Sequence, residues 1–328
     1  MLNTILCDLT QEFAKKNYTL ISDELQNAIN SALIKKEKII LWLNRLGYAR
    51  RIACLDCGLV VKCLNCLAPL ALADKKSKEL SCFKCGLNHK IEACRQCQGV
   101  NFKFTGFTVG KIMNNFKKLY PAVNITQAEL FEPASWQKNN IILFSSTPRY
   151  DLGRLRLNSQ INMVAILNVD AFLSLPDYAA GEKIYTLLQK IYKLAIDLKA
   201  QNFLVQTFEP KNYILKSFLA KNPSLFYQEE LDSRRKLIYP PFGKLIRLIY
   251  QNKNQDTAKK QTYNLFDKIK KILLNDKNEQ ITPPLPDFPF KIGNNFRWQI
   301  TIKAKSEISA KLKELLFSLE PAWLIESH

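Results

Sequence analysis

Apolar residues fall along the chain in two rhythms, short continuous runs and stripes of helical spacing, and their alternation predicts the elements. Thr4-Ile5-Leu6-Cys7-Asp8-Leu9 reads as a buried strand, with Cys7 a small core hydrophobe. Ser22 then reads as a helix cap: Asp23 and Glu24 follow in the first turn, where carboxylates suit the helix dipole, and Leu25, Ala28, Ile29 and Leu33 form an apolar stripe. That capping role, rather than magnesium binding, accounts for the adjacent Asp23-Glu24 pair. Lys38 to Leu46 supplies a second strand, Ile39-Ile40-Leu41-Trp42-Leu43, before a cysteine-rich stretch from Cys54 to Cys97 interrupts the alternation.

The rhythm resumes with a helix from about Val109 to Leu119, strands near Val123, at Ile141-Ile142-Leu143-Phe144 and over Met163 to Val169, a helix from Glu182 to about Leu198, and a strand at Phe203 to Thr207. Strands alternating with helices predict one open parallel α/β sheet up to about Phe208, with the cysteine-rich module spliced into it. Helical stretches over Tyr213 to Ala220 and Leu225 to Leu237 lead to Tyr239-Pro240-Pro241-Phe242-Gly243, whose prolines mark a boundary. Beyond it come a strand (Lys244 to Tyr250), a helix (Thr257 to Leu274), an extended segment (Phe288 to Ile292), a strand (Arg297 to Ile302) and a helix (Ile308 to Leu319), the pattern of a compact α+β domain. The expected organisation is an α/β domain over 1–52 and 100–222, a cysteine module over 53–99 and an α+β domain over 223–328.

Composition narrows the classes. The 328 residues are 47% hydrophobic with few glycines, which suits packed domains rather than a disordered tail. Lys+Arg 48 against Asp+Glu 29 gives a net charge of +19, which favours a polyanionic partner such as nucleic acid, although lysines spread along the whole chain are also what solvated faces look like. No apolar run reaches the roughly 20 residues of a membrane span, and Met1-Leu2-Asn3-Thr4-Ile5 has no signal-peptide pattern, so the expected compartment is the cytoplasm and no membrane partner is expected.

In a reducing compartment nine cysteines are not a disulfide framework, and eight of them form Cys-x-x-Cys pairs: Cys54/Cys57, Cys63/Cys66, Cys82/Cys85 and Cys94/Cys97. Two intervening residues let a tight turn aim both thiolates at one ion about 2.3 Å away, so eight ligands make two closed tetrahedral zinc sites. Fifteen residues separate Cys66 from Cys82, a zinc-ribbon spacing, whereas the five between Cys57 and Cys63 leave too little chain for two turns to face each other. The predicted arrangement is nested, with Cys63, Cys66, Cys82 and Cys85 around an inner zinc and Cys54, Cys57, Cys94 and Cys97 around an outer one. His89, the single internal histidine, is a possible replacement ligand, but with eight thiolates present it reads as an exposed side chain. Filled coordination leaves neither zinc a position for water, so both metals are structural.

Read with its flanks, this module resembles that of the bacterial primosomal protein N′ family, the PriA-like superfamily 2 helicases of replication restart. Leu43-Asn44-Arg45-Leu46-Gly47-Tyr48 resembles the family's L-N-R-R-G-Y, and the family's nested zinc pairing agrees with the spacing. Leu175-Pro176-Asp177-Tyr178 with Glu182-Lys183 is similar to L-P-D-F-R-A-x-E-R. Glu230-Leu231, Arg234-Arg235 and Tyr239-Pro240-Pro241-Phe242-Gly243 are similar to E-L-x-x-R-R-x-x-x-Y-P-P-F-G, and Phe296-Arg297-Trp298-Gln299 to Y-R-W-Q. The resemblance spans nearly the whole chain and implies a RecA-like second helicase lobe with an inserted double-zinc module and a C-terminal α+β domain.

It also shows what has changed. The first helicase lobe and its phosphate-cradling loop have no counterpart in this sequence. Gly106-Phe107-Thr108-Val109-Gly110-Lys111-Ile112 has one residue too few between glycines for that loop and Ile112 where a hydroxyl would meet magnesium, and it looks instead like a drifted G-x-G-T-E segment. Where the family has Q-x-x-G-R-x-G-R, this chain has Gln189-Lys190-Ile191-Tyr192-Lys193-Leu194-Ala195-Ile196, so Lys193 and Ile196 stand at the two arginines that stabilise the transferring phosphate. Ser145-Ser146-Thr147 stands at the family's G-T-Q. The resemblance thus implies a truncated, helicase-like replication-restart protein that neither binds nor hydrolyses ATP alone. Its implied partners are forked or single-stranded DNA and other replication-restart or single-strand-binding proteins. Candidate phosphate contacts are Arg50, Arg51, Lys62, Lys84, Arg234, Arg235, Lys244 and Arg247, with Lys75, Lys76 and Lys78 beside them and Phe83 as a candidate stacking ring. The competing readings are the second lobe of a split helicase acting with a separate ATP-binding lobe, and a zinc-dependent protein-docking module.

Overall fold

The computed structural model describes every residue except 1, 44–50, 65–69, 73–79, 82–87, 91, 106–108, 129–139, 145–159, 172–176 and 274–277. The chain divides into two compact units. One comprises Met1–Leu80, His89–Leu175 and Ala179–Phe226; the other comprises Ser81–Asn88, Pro176–Tyr178 and Tyr227–His328.

The first unit is built on six parallel strands. In chain order the elements from the N-terminus are β1 (Asn3–Asp8), α1 (Leu9–Ala14), α2 (Asp23–Ile34), β2 (Lys38–Trp42), the cysteine-rich strands β3 (Arg51–Cys54), β4 (Ala71–Leu72), β5 (Leu80–Ser81), β6 (Asn88–His89) and β7 (Phe102–Thr105), then α3 (Val109–Leu119), β8 (Ile125–Ala128), β9 (Ile141–Phe144) and β10 (Ile161–Ile166). A 3₁₀ turn (Val169–Ala171), α4 (Ala180–Asp197), β11 (Asn202–Thr207) and α5 (Tyr213–Leu219) complete it, and α6 (Pro223–Leu237) runs on from it. The sheet order is β1-β11-β10-β2-β9-β8, every neighbouring pair parallel.

The alternation of side chains explains the layers. In β2, Ile39 and Leu41 join a core with Leu9, Phe13, Leu25, Ile29 and Phe116 of α1, α2 and α3, while Ile40 and Trp42 point the other way, into a core with Ile184, Leu188, Ile191 and Phe218 of α4 and α5. A sheet covered on both faces needs strands that are apolar on both, which is why β2 and β10 are buried along their whole length. Helix α2 starts as its sequence requires: Ser22 Oγ accepts from the Leu25 amide at 3.2 Å. Cys7 is buried, and burial, foremost among its surroundings, pushes its thiol up to about 12, the behaviour of a core residue.

The second unit is an antiparallel sheet under two helices. Its elements after α6 are β12 (Lys244–Asn252), α7 (Gln255–Ile272), β13 (Glu279–Ile281), β14 (Leu285–Ile292), β15 (Asn295–Ala304), α8 (Ala310–Phe317) and β16 (Trp323–Ser327). The order is β13-β15-β12-β16, with β14 also pairing β15. Ile246 and Leu248 lie opposite Ile302 and Ile300, and all four pack on Leu265, Ile269, Leu312 and Leu316 of α7 and α8. The opposite face of the same strands carries Arg247. Its guanidinium meets Asp287 Oδ1 at 2.6 Å, Glu326 Oε2 at 2.7 Å and Gln299 Oε1 at 2.9 Å. Asp287 is fully buried, and its second oxygen lies 2.8 Å from Arg297 Nη2.

Candidate metal centre

Four cysteines separated by up to 43 positions converge in the first unit. The sulfurs of Cys54, Cys57, Cys94 and Cys97 all lie within 4.8 Å of one another, with Cys54 to Cys97 and Cys57 to Cys94 both 3.6 Å. A tetrahedron with metal–sulfur bonds of about 2.3 Å has sulfur–sulfur edges of about 3.8 Å, so the set fits one tetrahedral thiophilic ion.

Two matching turns present them. In the first, the Gly58 amide donates to Cys54 O at 3.0 Å and the Cys54 amide to Leu59 O at 2.9 Å; in the second, the Gln98 amide donates to Cys94 O and the Cys94 amide to Gly99 O, both at 2.8 Å. Each turn reverses through a left-handed residue immediately after its second cysteine, Gly58 at φ 76° and Gln98 at φ 59°. Glycine takes that conformation freely, and Gly58 has a second reason to lack a side chain: a Cβ would sit 2.6 Å from Thr10 O. The turns are also clasped to each other. The Leu55 amide donates to Asn101 O at 2.8 Å, Asn101 Nδ2 donates to Asp56 Oδ1 at 3.1 Å, and Asp56 packs against Gly99 so closely that a Cβ there would meet Oδ2 at 2.0 Å. The antiparallel pairing of β3 with β7 brings the two outer ends of the module together.

The thiols are electrostatically unequal. Burial raises Cys54 and takes Cys57 up to about 12. Burial raises Cys94 too, but hydrogen bonds from the backbone amides of Cys97 and Gln96, together with the neighbouring thiols of Cys57 and Cys97, draw it down to about 7. Cys94 is therefore the sulfur of this trio that ionises most readily.

Of the predicted inner set, Cys63 is fully buried, and Cys66, Cys82 and Cys85 lie outside the described residues. His89 corrects its expectation. It is half-buried rather than exposed, and its Nε2 lies 3.2 Å from Cys63 Sγ, within hydrogen-bond reach of the thiol. Only the long-range pairing of the module brings these two together, 26 positions apart, so spacing alone gave no signal of it.

The predicted phosphate contacts fare unequally. Arg50, Lys84, Lys75, Lys76, Lys78 and Phe83 lie outside the described residues, as does the side chain of Arg51. Lys62 reaches Glu209 at 3.3 Å. In the second unit, Arg247 is held in the internal network described above and Lys244 pairs with Glu307. Arg234, with only 11% of its side chain exposed, bonds Glu230 at 2.8 Å and lies 5.3 Å from the Tyr178 ring centroid. Tyr178 stacks on Tyr239, ring centroids 5.7 Å apart, and Lys303 Nζ stands 3.9 Å over Tyr239. Arg235 is 64% exposed and sits 4.6 Å over Phe242. Residues of two separate sequence motifs thus meet, with Lys303, in one cation–aromatic cluster, with Arg235 its most accessible cation.

Residues 235–323 match the family model of the primosomal protein N C-terminal domain. The chain is similar to replication restart protein PriA of Borreliella burgdorferi, 32% identical over 254 residues covering 74% of this chain and 38% of that protein. It is also similar to PriA of Bacillus subtilis, 24% identical over 327 residues and 95% of this chain, and of Thermotoga maritima, 26% identical over 327 residues and 94% of this chain; each match covers 40% of the relative. The chain belongs to the PriA family. It spans about two fifths of the length of these PriA relatives, corresponding to their C-terminal half. Among the described residues no helix is long and apolar enough to cross a membrane.

Proposed function

We propose that the chain is a DNA-binding replication-restart protein with two structural zinc ions and no ATP hydrolysis of its own. Membership of the PriA family is the observation that carries this reading, together with a net charge of +19. In this reading the parallel-sheet residues 1–52 and 100–222 act as a second helicase lobe, 53–99 as the zinc module and 223–328 as the C-terminal DNA-binding domain. Cys54, Cys57, Cys94 and Cys97 hold the outer zinc, and Cys63, Cys66, Cys82 and Cys85 the inner one. Four protein thiolates leave a zinc no open position for water, so the ions tie the module together rather than do chemistry.

The surroundings of α4 support the absence of hydrolysis. Lys193 and Ile196 occupy the positions aligned with the family's arginines; Lys193 Nζ is paired with Asp197 at 2.7 Å, and Ile196 presents an apolar side chain to solvent. Lysine lacks the planar fork that an arginine offers a transferring phosphate, and isoleucine offers no donor at all. The test is a forked-DNA mobility shift with ATP hydrolysis followed in the same samples, before and after zinc chelation. Binding that needs zinc and proceeds without ATP turnover supports the reading. Turnover by the pure protein contradicts it, and binding only after addition of a separate ATP-binding lobe would favour a split helicase.

A further inference from the structure

Helix α7 (Gln255–Ile272) has a flank that its own core uses only in part, through Phe266. Ala258, Thr262, Leu265 and Ile269 are buried against the sheet. One residue further along, Lys259, Tyr263, Phe266 and Lys270 repeat the same spacing of four, three and four, and so form a parallel stripe on the flank of the helix. Lys259, Tyr263 and Lys270 are exposed and Phe266 is half-buried.

The stripe places an ammonium group beside a ring at each end. Lys259 Nζ lies 6.0 Å from the Tyr263 ring and 5.6 Å from that of Trp298, and Lys270 Nζ lies 5.9 Å from Phe266. Tyr263 leans on the buried Trp298, ring centroids 6.4 Å apart, yet leaves 42% of itself to solvent. Lys260, Lys268 and Lys271 occupy the adjoining rows, so the helix carries five lysines against Asp256 and Asp267, a net charge of +3. Phe266 packs against the core, but a purely solvated face would need the lysines and not the exposed ring of Tyr263 between them. Two lysines whose backbone positions are about 16 Å apart along the axis, with the exposed ring of Tyr263 between them, suit a ligand that alternates anionic groups with flat apolar ones.

We propose that this stripe is a track for single-stranded nucleic acid, with Lys259 and Lys270 pairing phosphates and Tyr263 stacking on a base. The assignment rests on the DNA-binding reading above and adds to it the face and the form of nucleic acid. A duplex keeps its bases stacked on one another and has none to offer Tyr263, so the ring selects the single strand.

The test is fluorescence anisotropy of the full chain with an oligothymidylate and with a duplex of equal length. Tyr263→Leu keeps an apolar side chain against Trp298 and removes only the stacking surface. It should weaken single-strand binding by about 5- to 150-fold and leave duplex binding nearly unchanged, whereas Tyr263→Phe should bind like the parent. The double variant Lys259→Ala/Lys270→Ala should lower the slope of log K against log salt by about 1.4. Single-strand binding by Tyr263→Leu equal to that of the parent would overturn the track while leaving the DNA-binding reading intact. A parent chain that binds neither oligonucleotide would overturn both.

Discussion

Asp287 is the residue whose removal should cost the second unit most. Its carboxylate is completely buried, accepting a hydrogen bond from Arg247 through Oδ1 at 2.6 Å and facing Arg297 Nη2 through Oδ2 at an ion-pair distance of 2.8 Å without hydrogen-bond alignment. Asp287→Ala does not affect the two arginines equally. Arg247 keeps Glu326 and Gln299 and is 24% exposed, so it can rehydrate. Arg297 is 9% exposed and its Nε already lacks an acceptor among the described residues, so its charge is left buried and uncompensated. Breaking a buried pair from one side costs about 3–5 kcal/mol, which should speed amide exchange in β12 and β15 by about two to three and a half orders of magnitude if those strands exchange through opening of the whole unit. Peptide-resolved hydrogen exchange separates this from the first unit, where no change is expected. Arg297→Met added to Asp287→Ala should restore most of the loss, because it removes the stranded charge and leaves an apolar side chain of similar reach. A loss below about 1 kcal/mol for the single variant, or no recovery in the double one, would refute the claim that the cluster is held by mutual compensation.

Two further outcomes follow from the cysteine module. Metal analysis of the purified chain should find two zinc ions per chain, and Cys94→Ser should lower that to one, because the outer site loses one of its four converging sulfurs; an unchanged metal content would remove Cys94 from the ligand set. Gly58→Ala forces a left-handed alanine, which costs about 1–2 kcal/mol, and drives its Cβ toward Thr10 O. Chelators should therefore strip the outer metal faster from Gly58→Ala than from the parent, and equal stripping rates would show that the turn is less constrained than its hydrogen bonds imply.

Much of this architecture is written in local pattern. The runs at Ile39–Trp42 and Ile141–Phe144 specify buried parallel strands because both faces must be apolar, and the stripe along α4 specifies its helix because one face packs on the sheet. The grouping of Cys54, Cys57, Cys94 and Cys97 was legible because Cys-x-x-Cys turns have few ways to close a tetrahedron. What escaped depends on distance along the chain. β16 has an exposed, weakly patterned sequence and forms only because β12 offers it an edge. Helix α1 is a single short turn-and-a-half following β1, stabilised by Asp8 accepting from the Thr10 amide and by the burial of Leu9 and Phe13. Arg247 reads as one more basic residue near a boundary, since its partners lie 40 and 79 positions away. Asp56 and Asn101, which clasp the two cysteine turns, carry no signature until the turns face each other.

The measurement that tests the central claim most directly is the salt dependence of DNA binding by the intact, zinc-loaded chain, read as fluorescence anisotropy with a forked DNA and with ATP hydrolysis followed in the same tubes. The account predicts affinity that falls with salt at roughly 0.7 to 0.9 of a log unit per log unit of salt for each phosphate engaged, with no ATP turnover. Absence of binding at low salt would contradict it, and so would an affinity indifferent to salt.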